Sequence, residues 1–391
     1  MAFSPTRAST AVGLCVFLGS LCALANPQEK SPQETPPREQ LAQNKDRTLK
    51  HAEVTVTEAP PEGDPDSNRF MAIPFASYGP ETGWLGGAAM LYLFHLDSER
   101  NSQVATSVRY TEKKQLLLRL KPELWWGNNH VKLDVEYDRF PDYVWGVGRG
   151  TAASAEEKFL PVSTRLELDL DRRVWRRWFV GMRSEQVFTS IKESESDGFI
   201  ANGATGATGG FLNGLGLQAL WDDRDNANAT TQGSYLKVGA LHFNKAWGSD
   251  FSFTRYLLDA RHFFDLGGEQ VIGVQAISLY VAGNAPFYEL PRIGGKKVMR
   301  GYYNGRYRDQ TMAAFQVEYR RPLFWRLGMV AFGGVADVAD SPGDLSFGAP
   351  KWSAGGGIRI AISRKSRLNA RLDIGYAEGE TSTYLNFGEA F

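Results

Sequence analysis

The stretch VKLDVEYD at residues 131–138 alternates apolar and charged side chains without a break. The same two-residue rhythm returns in RLELDLD at 165–171 and in LNARLDIGY at 368–376. Successive side chains of an extended strand point to opposite faces, so each segment has one apolar face and one strongly polar face. A transmembrane β-strand shows this pattern, because one face meets lipid and the other lines the barrel interior.

Soluble β-sandwiches also contain alternating strands, and they are the alternative to a barrel. Three features favour the barrel. The alternating segments approach the roughly 9 to 11 residues that a tilted strand needs to cross a bilayer, whereas soluble strands average about 5 or 6. Short and long connections alternate along the chain. Tryptophans recur at segment ends, as interfacial aromatic girdles require: Trp125, Trp126, Trp175, Trp178 and Trp325.

The alternation extends over most of the chain and predicts an all-β fold, a 16-stranded antiparallel transmembrane β-barrel. With both barrel ends in the periplasm, the four long connections fall outside the cell: 141–157, 192–210, 284–309 and 339–350. The predicted strands lie near residues 69–78, 83–95, 101–111, 113–125, 129–140, 158–171, 175–191, 211–222, 233–244, 249–265, 269–283, 310–323, 327–338, 351–363, 367–377 and 381–391.

The N-terminal part of the chain has a different character. Residues 1–25 are predicted to be a cleavable signal peptide, with Arg7, an apolar core and the small-residue site at 23–25. Residues 26–68 are rich in Pro, Glu, Gln, Asp and Lys and are predicted to be a disordered periplasmic tail. The barrel then spans residues 69–391, and we expect it in the bacterial outer membrane.

Little in the composition points to covalent or metal chemistry. Both cysteines, Cys15 and Cys22, fall inside the predicted signal peptide, and the five histidines show no metal spacing. The chain balances 44 basic against 44 acidic residues, so no general attraction to nucleic acid is expected. We predict no cofactor, no metal and no enzymatic activity, although a Ser and His pair at the bilayer edge stays an open alternative. The expected surroundings are outer-membrane lipid and lipopolysaccharide.

Several motifs coincide with those of one family. They are PFASYGPETGW at 74–84, YVWGVG at 143–148, DDRDN at 222–226 and, most specifically, APFYELPRIGG at 285–295 followed by MRGY at 299–302. On these motifs the chain resembles the BamA/TamA superfamily of outer-membrane assembly and translocation barrels, the bacterial surface antigen family. The resemblance covers about residues 69–391.

The resemblance implies a role for the connection between the eleventh and twelfth strands. In the family this external loop folds back into the lumen, and its Arg-Gly-Tyr tip, here Arg300, Gly301 and Tyr302, rests against the barrel wall. A buried arginine needs a fixed carboxylate partner. The segment FGGVAD at 332–337 matches the family's partner segment, so an Arg300 to Asp337 contact is predicted, and charge reversal of Asp337 is expected to cripple the protein. The inner-facing residues Glu318, Arg359 and Asp373 are second-rank partners.

The end of the sequence predicts a sixteenth strand with an aromatic last residue. Tyr384, Phe387 and Phe391 form the expected C-terminal signal by which the barrel assembly machinery recognises such barrels. We expect this strand to close on the strand that begins near Arg69.

Two functions remain open from the sequence. The first is a barrel that assists insertion or movement of polypeptide or lipid at the outer membrane, and the alternative is a passive porin-like transport or structural barrel. Family members carry periplasmic polypeptide-transport-associated (POTRA) domains before the barrel, whereas the 43 residues at 26–68 contain no pattern of such a domain. A separate periplasmic partner protein is therefore a further expectation.

Overall fold

The computed structural model describes residues 69–79, 83–96, 102–112, 114–226, 229–348, 350–363 and 367–391. The predicted signal peptide and the predicted disordered tail lie outside the described residues, and so do residues 364–366 of the expected turn after Ser363. Nearly all regular structure in the described part is β-strand.

The strands, in chain order, are β1 (Arg69–Gly79), β2 (Gly83–Phe94), β3 (Ser102–Thr111), β4 (Leu116–Trp126), β5 (Asn129–Arg139), β6 (Asp142–Val144), β7 (Glu157–Trp175), β8 (Trp178–Ser194), β9 (Gly209–Asp222), β10 (Gly233–Phe243), β11 (Phe253–Gly267), β12 (Gln270–Gly283), β13 (Arg292–Ile293), β14 (Tyr307–Arg308), β15 (Thr311–Phe324), β16 (Leu327–Ala339), β17 (Lys351–Ser363), β18 (Leu368–Ala377) and β19 (Glu380–Phe387). Short 3₁₀ turns occupy Ala153–Ala155, Lys245–Trp247, Phe287–Glu289 and Pro342–Asp344. None of the described helices is long and apolar enough to cross a membrane.

Sixteen of these strands form one antiparallel ladder in chain order, which confirms the predicted fold class. The three short strands are additions: β6 pairs with the start of β7, and β13 pairs with β14. The ladder runs from β1 to β19, and the predicted closing contact between those two strands stays a prediction.

Several predicted boundaries were wrong, among them the start of β11, which was expected near residue 249 and lies at Phe253. β7 continues to Trp175 and β8 begins at Trp178, so this hairpin turns at Arg176 and Arg177, later than expected. β19 ends at Phe387, four residues before Phe391, because Gly388 takes a φ of +72° and leads the chain out of the ladder.

The two faces of the strands differ as the alternation predicted. On the lumen side of β5 and β7, Lys132 lies opposite Asp169 and Glu136 lies opposite Arg165. On the outer side large apolar residues are exposed, among them Leu217 at 65 % and Phe188 at 56 %. Apolar side chains this widely exposed around a sheet are suited to lipid contact.

The apolar cores of the molecule lie inside the barrel. Three of the four buried clusters in the described part contain residues from the connection between β12 and β15, residues 284–310, which we call the luminal loop. Its buried members pack against the wall strands: Ala285, Phe287, Ile293, Met299, Tyr302 and Tyr307. The luminal loop therefore fills part of the barrel interior.

Candidate functional site in the lumen

The luminal loop is folded back on itself by a small ladder. Arg292 pairs with Arg308 and Ile293 pairs with Tyr307, which brings the two ends of the segment 294–306 together. The tip of this segment, Arg300 to Tyr302, lies deep in the barrel: Arg300 is 1 % and Tyr302 is 3 % exposed.

Arg300 binds two fully buried carboxylates from different wall strands. Its Nη1 donates to Asp373 Oδ2 of β18 at 2.6 Å, and its Nη2 donates to Glu318 of β15. Its guanidinium carbon lies 3.5 Å from the ring centre of Phe332 on β16, so the cation also rests on an aromatic face. An arginine fork held by two carboxylates and a ring is a strongly oriented contact.

The two carboxylates have further cationic partners. Arg320 Nε donates to Glu318 Oε1 at 2.7 Å, and Arg359 Nη1 donates to Asp373 Oδ1 at 2.5 Å. We call Arg300 with these four wall residues the tip anchor. Because every member is compensated by opposite charge, the cluster can persist where water is excluded.

The predicted contact between Arg300 and Asp337 is wrong. Asp337 lies opposite Ala313 near the external end of β16, whereas Phe332, which touches Arg300, lies opposite Glu318. Five residues of strand separate these levels, which amounts to about 16 Å. Asp337 instead lies 3.3 Å from Arg149 and accepts hydrogen bonds from the backbone N–H groups of Val338 and Ser346.

The backbone of the tip lies flush against the last two strands. Gly301 has a φ of +124°, and a Cβ at this position would stand 2.9 Å from the Tyr376 carbonyl carbon of β18. Gly301 N–H donates to Tyr384 Oη at 3.0 Å, and Gly301 O accepts from Ser382 Oγ at 2.9 Å, both on β19. Only glycine fits this position, on grounds of both conformation and space.

The location of Tyr384 in the structure was not predicted from the sequence. It was grouped with the C-terminal signal, but its side chain is buried in the lumen, where its hydroxyl donates to Tyr302 O at 3.2 Å. Phe387 ends β19, and its side chain lies outside the described part.

Phe391 also lies inside the barrel and not on a membrane-facing strand. It packs with Phe263 of β11 and Val271 of β12, and its backbone oxygen accepts from Arg320 Nη2 at 3.0 Å. Glu389 joins the same region through a 2.7 Å contact with Arg359 Nε. Residues 388–391 thus contact two members of the tip anchor, Arg320 and Arg359, and whether they form an assembly signal stays a prediction.

A second ionic contact holds the luminal loop at its other end. Glu289, in the 3₁₀ turn, accepts from Arg165 of β7 and Arg255 of β11, each at 2.5 Å. Both arginines also bind Glu185 of β8. We call Glu289 with these three wall residues the stem anchor. Sequence reasoning missed it, although Arg165 was placed on an inner face and Glu289 stands within the motif at 285–295.

The external side of the luminal loop is covered by the connection after β5. Tyr303 Oη donates to Asp142 Oδ1 at 2.8 Å, and the Tyr303 ring lies 5.3 Å from the Trp145 ring centre. The motif at 143–148 therefore packs on the luminal loop. Arg306 adds a 3.0 Å hydrogen bond to the backbone oxygen of Thr151.

In chemical terms the site is a set of ionic contacts. Among residues 69–391, as far as they are described, no group of three His, Cys, Asp or Glu side chains is arranged to hold a metal ion. What the geometry provides is a luminal loop bound at one end to β15 and β18 and at the other to β7 and β11. The stem reaches β7 and the tip reaches β18, and these two strands are far apart in the ladder, so the loop bridges the lumen.

Comparison with known proteins identifies the family of the chain. A model described as the Omp85 superfamily domain matches residues 99–388. No curated protein matches. Among solved structures, BamA from Haemophilus ducreyi lacking POTRA domains 1–3 is similar, with a TM-score of 0.52, 14 % identity, and coverage of 80 % of this chain and 66 % of that one. CdiB from Escherichia coli has a TM-score of 0.52 at 11 % identity, with 82 % and 60 % covered. The chain thus spans less than two thirds of the length of either structure.

Proposed function

The chain belongs to the Omp85 superfamily and is located in the bacterial outer membrane, and we propose that it assists the insertion or movement of polypeptide or lipid there, with the luminal loop holding the last strands in place. The observation that carries this proposal is the tip anchor. A single buried arginine links the luminal loop to β15 and β18, while the adjacent glycine is hydrogen-bonded to β19.

The proposed mechanism follows from these contacts. The tip bridges the final strands from inside, so its release would free β18 and β19 to move relative to the rest of the wall. A strand that leaves its neighbour exposes backbone N–H and C=O groups, which the bilayer core cannot satisfy. An incoming polypeptide strand can satisfy them by pairing along the open edge. We infer that the seam between β1 and β19 is the gate.

A passive transport barrel is the second candidate, and the charged inner faces of β5 and β7 favour it. The luminal loop counts against it, because its buried clusters and two anchors occupy space that an open pore needs. Single-channel conductance separates the two: we expect small and irregular openings for the wild type. Large, steady, ion-selective currents would support transport and contradict the gate.

The gate is tested with cysteines placed in β1 and β19 and joined in cells by a short crosslinker. The sequence after residue 25 contains no cysteine, so the engineered pair reacts alone. A matched control joins Ala88→Cys to Val108→Cys, which face each other across β2 and β3. Locking the seam should abolish function, measured as outer-membrane protein and lipid levels after depletion of the wild-type chain, while the control pair should have no effect. Full function with a locked seam would refute the gate.

A further inference from the structure

Two lysines precede the tip of the luminal loop, and the backbone around them is fixed. Arg371 Nη2 of β18 donates to Lys296 O at 3.0 Å, and Gln316 Nε2 of β15 donates to Lys297 O at 3.0 Å. The other end of the same amide, Gln316 Oε1, accepts from Met299 N–H at 2.8 Å. The stretch 296–299 is therefore held between two wall strands, and the Lys297 side chain projects from a rigid support.

Four cationic side chains act on Lys297. Its side chain is accessible to water inside the barrel, yet the wall encloses it. This enclosure, followed by the fields of Lys121, Arg261, Arg119 and Arg371, lowers the pKa of Lys297 to about 8. The four cations come from three separated strands, β4, β11 and β18. Positive charge thus converges on Lys297 from several directions.

Three of these cations have carboxylate partners of their own. Lys121 lies 3.0 Å from Asp134, Arg119 lies 3.3 Å from the same carboxylate, and Arg261 lies 2.5 Å from Asp259. Their positive charge is therefore partly compensated. Each of them nevertheless contributes to lowering the pKa of Lys297.

The positive charges of Lys297 and Arg371 are compensated much less by nearby carboxylates. Within the described part of the chain, no carboxylate oxygen lies within 4.0 Å of Lys297 Nζ. Arg371 is 2 % exposed, and its Nη1 has no hydrogen-bond partner. Its one carboxylate contact, Asp373 at 3.7 Å, is already bound by Arg300 and Arg359. A buried guanidinium with an unsatisfied N–H is costly unless an acceptor completes it.

We propose that these side chains form a binding site for a phosphate group in the barrel lumen, with Lys297 and Arg371 as direct ligands and Arg119, Lys121 and Arg261 supplying the surrounding field. We call these five residues the lumen cation site. A phosphate group offers several acceptor oxygens and at least one negative charge, which matches a guanidinium with an unsatisfied N–H and a neighbouring ammonium. This site is independent of the gate proposed above, since it requires no movement of β19.

The phosphate could belong to inorganic phosphate or to a lipid headgroup, and the test distinguishes them. The full-length protein in an uncharged detergent is titrated with inorganic phosphate by isothermal calorimetry and by ³¹P line broadening. Phosphatidylglycerol in mixed micelles is then used as the competitor, with uncharged detergent alone as the blank. Displacement of inorganic phosphate by phosphatidylglycerol assigns the site to a lipid headgroup, and failure to displace it assigns the site to the free anion.

The decisive variant is Lys297→Gln, whose side chain is open to the lumen, so the fold should survive. We expect phosphate affinity to fall at least about tenfold, the loss of one charge-assisted contact, and Lys297→Arg to restore it. Lys245→Gln is the matched control, because Lys245 is an exposed lysine of the external turn after β10. Equal phosphate affinity in the wild type, Lys297→Gln and Lys245→Gln would overturn the site, as would the absence of binding by the wild type.

Discussion

The two anchors of the luminal loop have opposite polarity. At the tip the loop supplies a cation and the wall supplies carboxylates, whereas at the stem the loop supplies Glu289 and the wall supplies arginines. Their surroundings differ as well. The arginine of the tip, Arg300, is 1 % exposed, whereas the stem arginines Arg165 and Arg255 are 27 % and 19 % exposed; the carboxylates are buried at both ends.

This difference decides which contact can open first. Charges that keep access to water are stabilised when their partner leaves, so partly exposed ion pairs contribute little net free energy. Removing one partner of an enclosed pair leaves an uncompensated charge, which is strongly destabilising. We therefore expect the stem anchor to be released first, and the tip anchor to be the costlier contact that keeps the gate closed until it is released.

The largest expected effect comes from breaking the tip. Arg300→Ala should lower the free energy of unfolding by about 3 kcal/mol, the low end for a broken buried pair, because Arg320 and Arg359 still compensate Glu318 and Asp373. Denaturant unfolding in detergent micelles, followed by tryptophan fluorescence, measures it. Arg172→Ala, on the exposed face of β7, serves as the control. Equal small losses in both variants would remove the contrast between the anchors.

A smaller decrease in the free energy of unfolding is expected from a substitution that displaces the tip but removes no charge. Gly301→Ala places a Cβ 2.9 Å from the Tyr376 carbonyl carbon in a left-handed conformation, so the free energy of unfolding should fall by about 1 to 3 kcal/mol. Gly379→Ala is a useful control. It has a φ of +84°, but its Cβ would meet no atom within 4 Å. Similar losses in the two variants would show that conformation alone, and not the fit against β18, requires the glycine.

A substitution in the stem anchor should lower the free energy of unfolding by less than a substitution in the tip anchor. Glu289→Gln leaves Arg165 and Arg255 bound to Glu185, so the expected loss is about 1 kcal/mol. Because these arginines are partly exposed, raising salt from about 0.1 M to 1 M should weaken the wild-type stem by a similar amount and leave Glu289→Gln nearly unchanged. Unfolding at the two salt concentrations checks this. If the free energy of unfolding of Glu289→Gln depended on salt as strongly as that of the wild type, the contact that salt screens would not be the stem anchor.

The strands were predictable because their signal is local. In β5 and β7 polar and apolar side chains alternate along the sequence. This two-residue period identifies both the strand and its inner face, and it requires no knowledge of the partner strand. Phe391 shares the parity of Leu385 and Phe387, although Glu389 interrupts this apolar face, and the last strand was therefore predicted to extend too far. A single positive φ at Gly388 ends the ladder there, and the alternation contains no sign of it.

The site was predictable only in part, because the alternation shows on which face of a strand a residue lies but not its level along the barrel axis. Glu318, Asp337 and Asp373 all point inward, and alternation cannot say which of them lies level with Arg300. The register of β15 on β16 decides it, by placing Phe332 beside Glu318. The stem anchor depends on an even longer-range relation, because Arg165 and Glu289 are 124 residues apart.

The smallest expected effect is at Asp337. Its partner Arg149 is 41 % exposed and lies 3.3 Å away, and an asparagine oxygen can keep the hydrogen bond from one of the two backbone N–H groups, those of Val338 and Ser346. Asp337→Asn should therefore lower the free energy of unfolding by less than about 1 kcal/mol. Combined with Arg300→Ala, its effect should simply add, because the two side chains share no partner. A coupling energy above about 1 kcal/mol in this double-mutant cycle would show that Asp337 acts together with the tip anchor and would remove the contrast between a costly tip contact and an easily released stem contact.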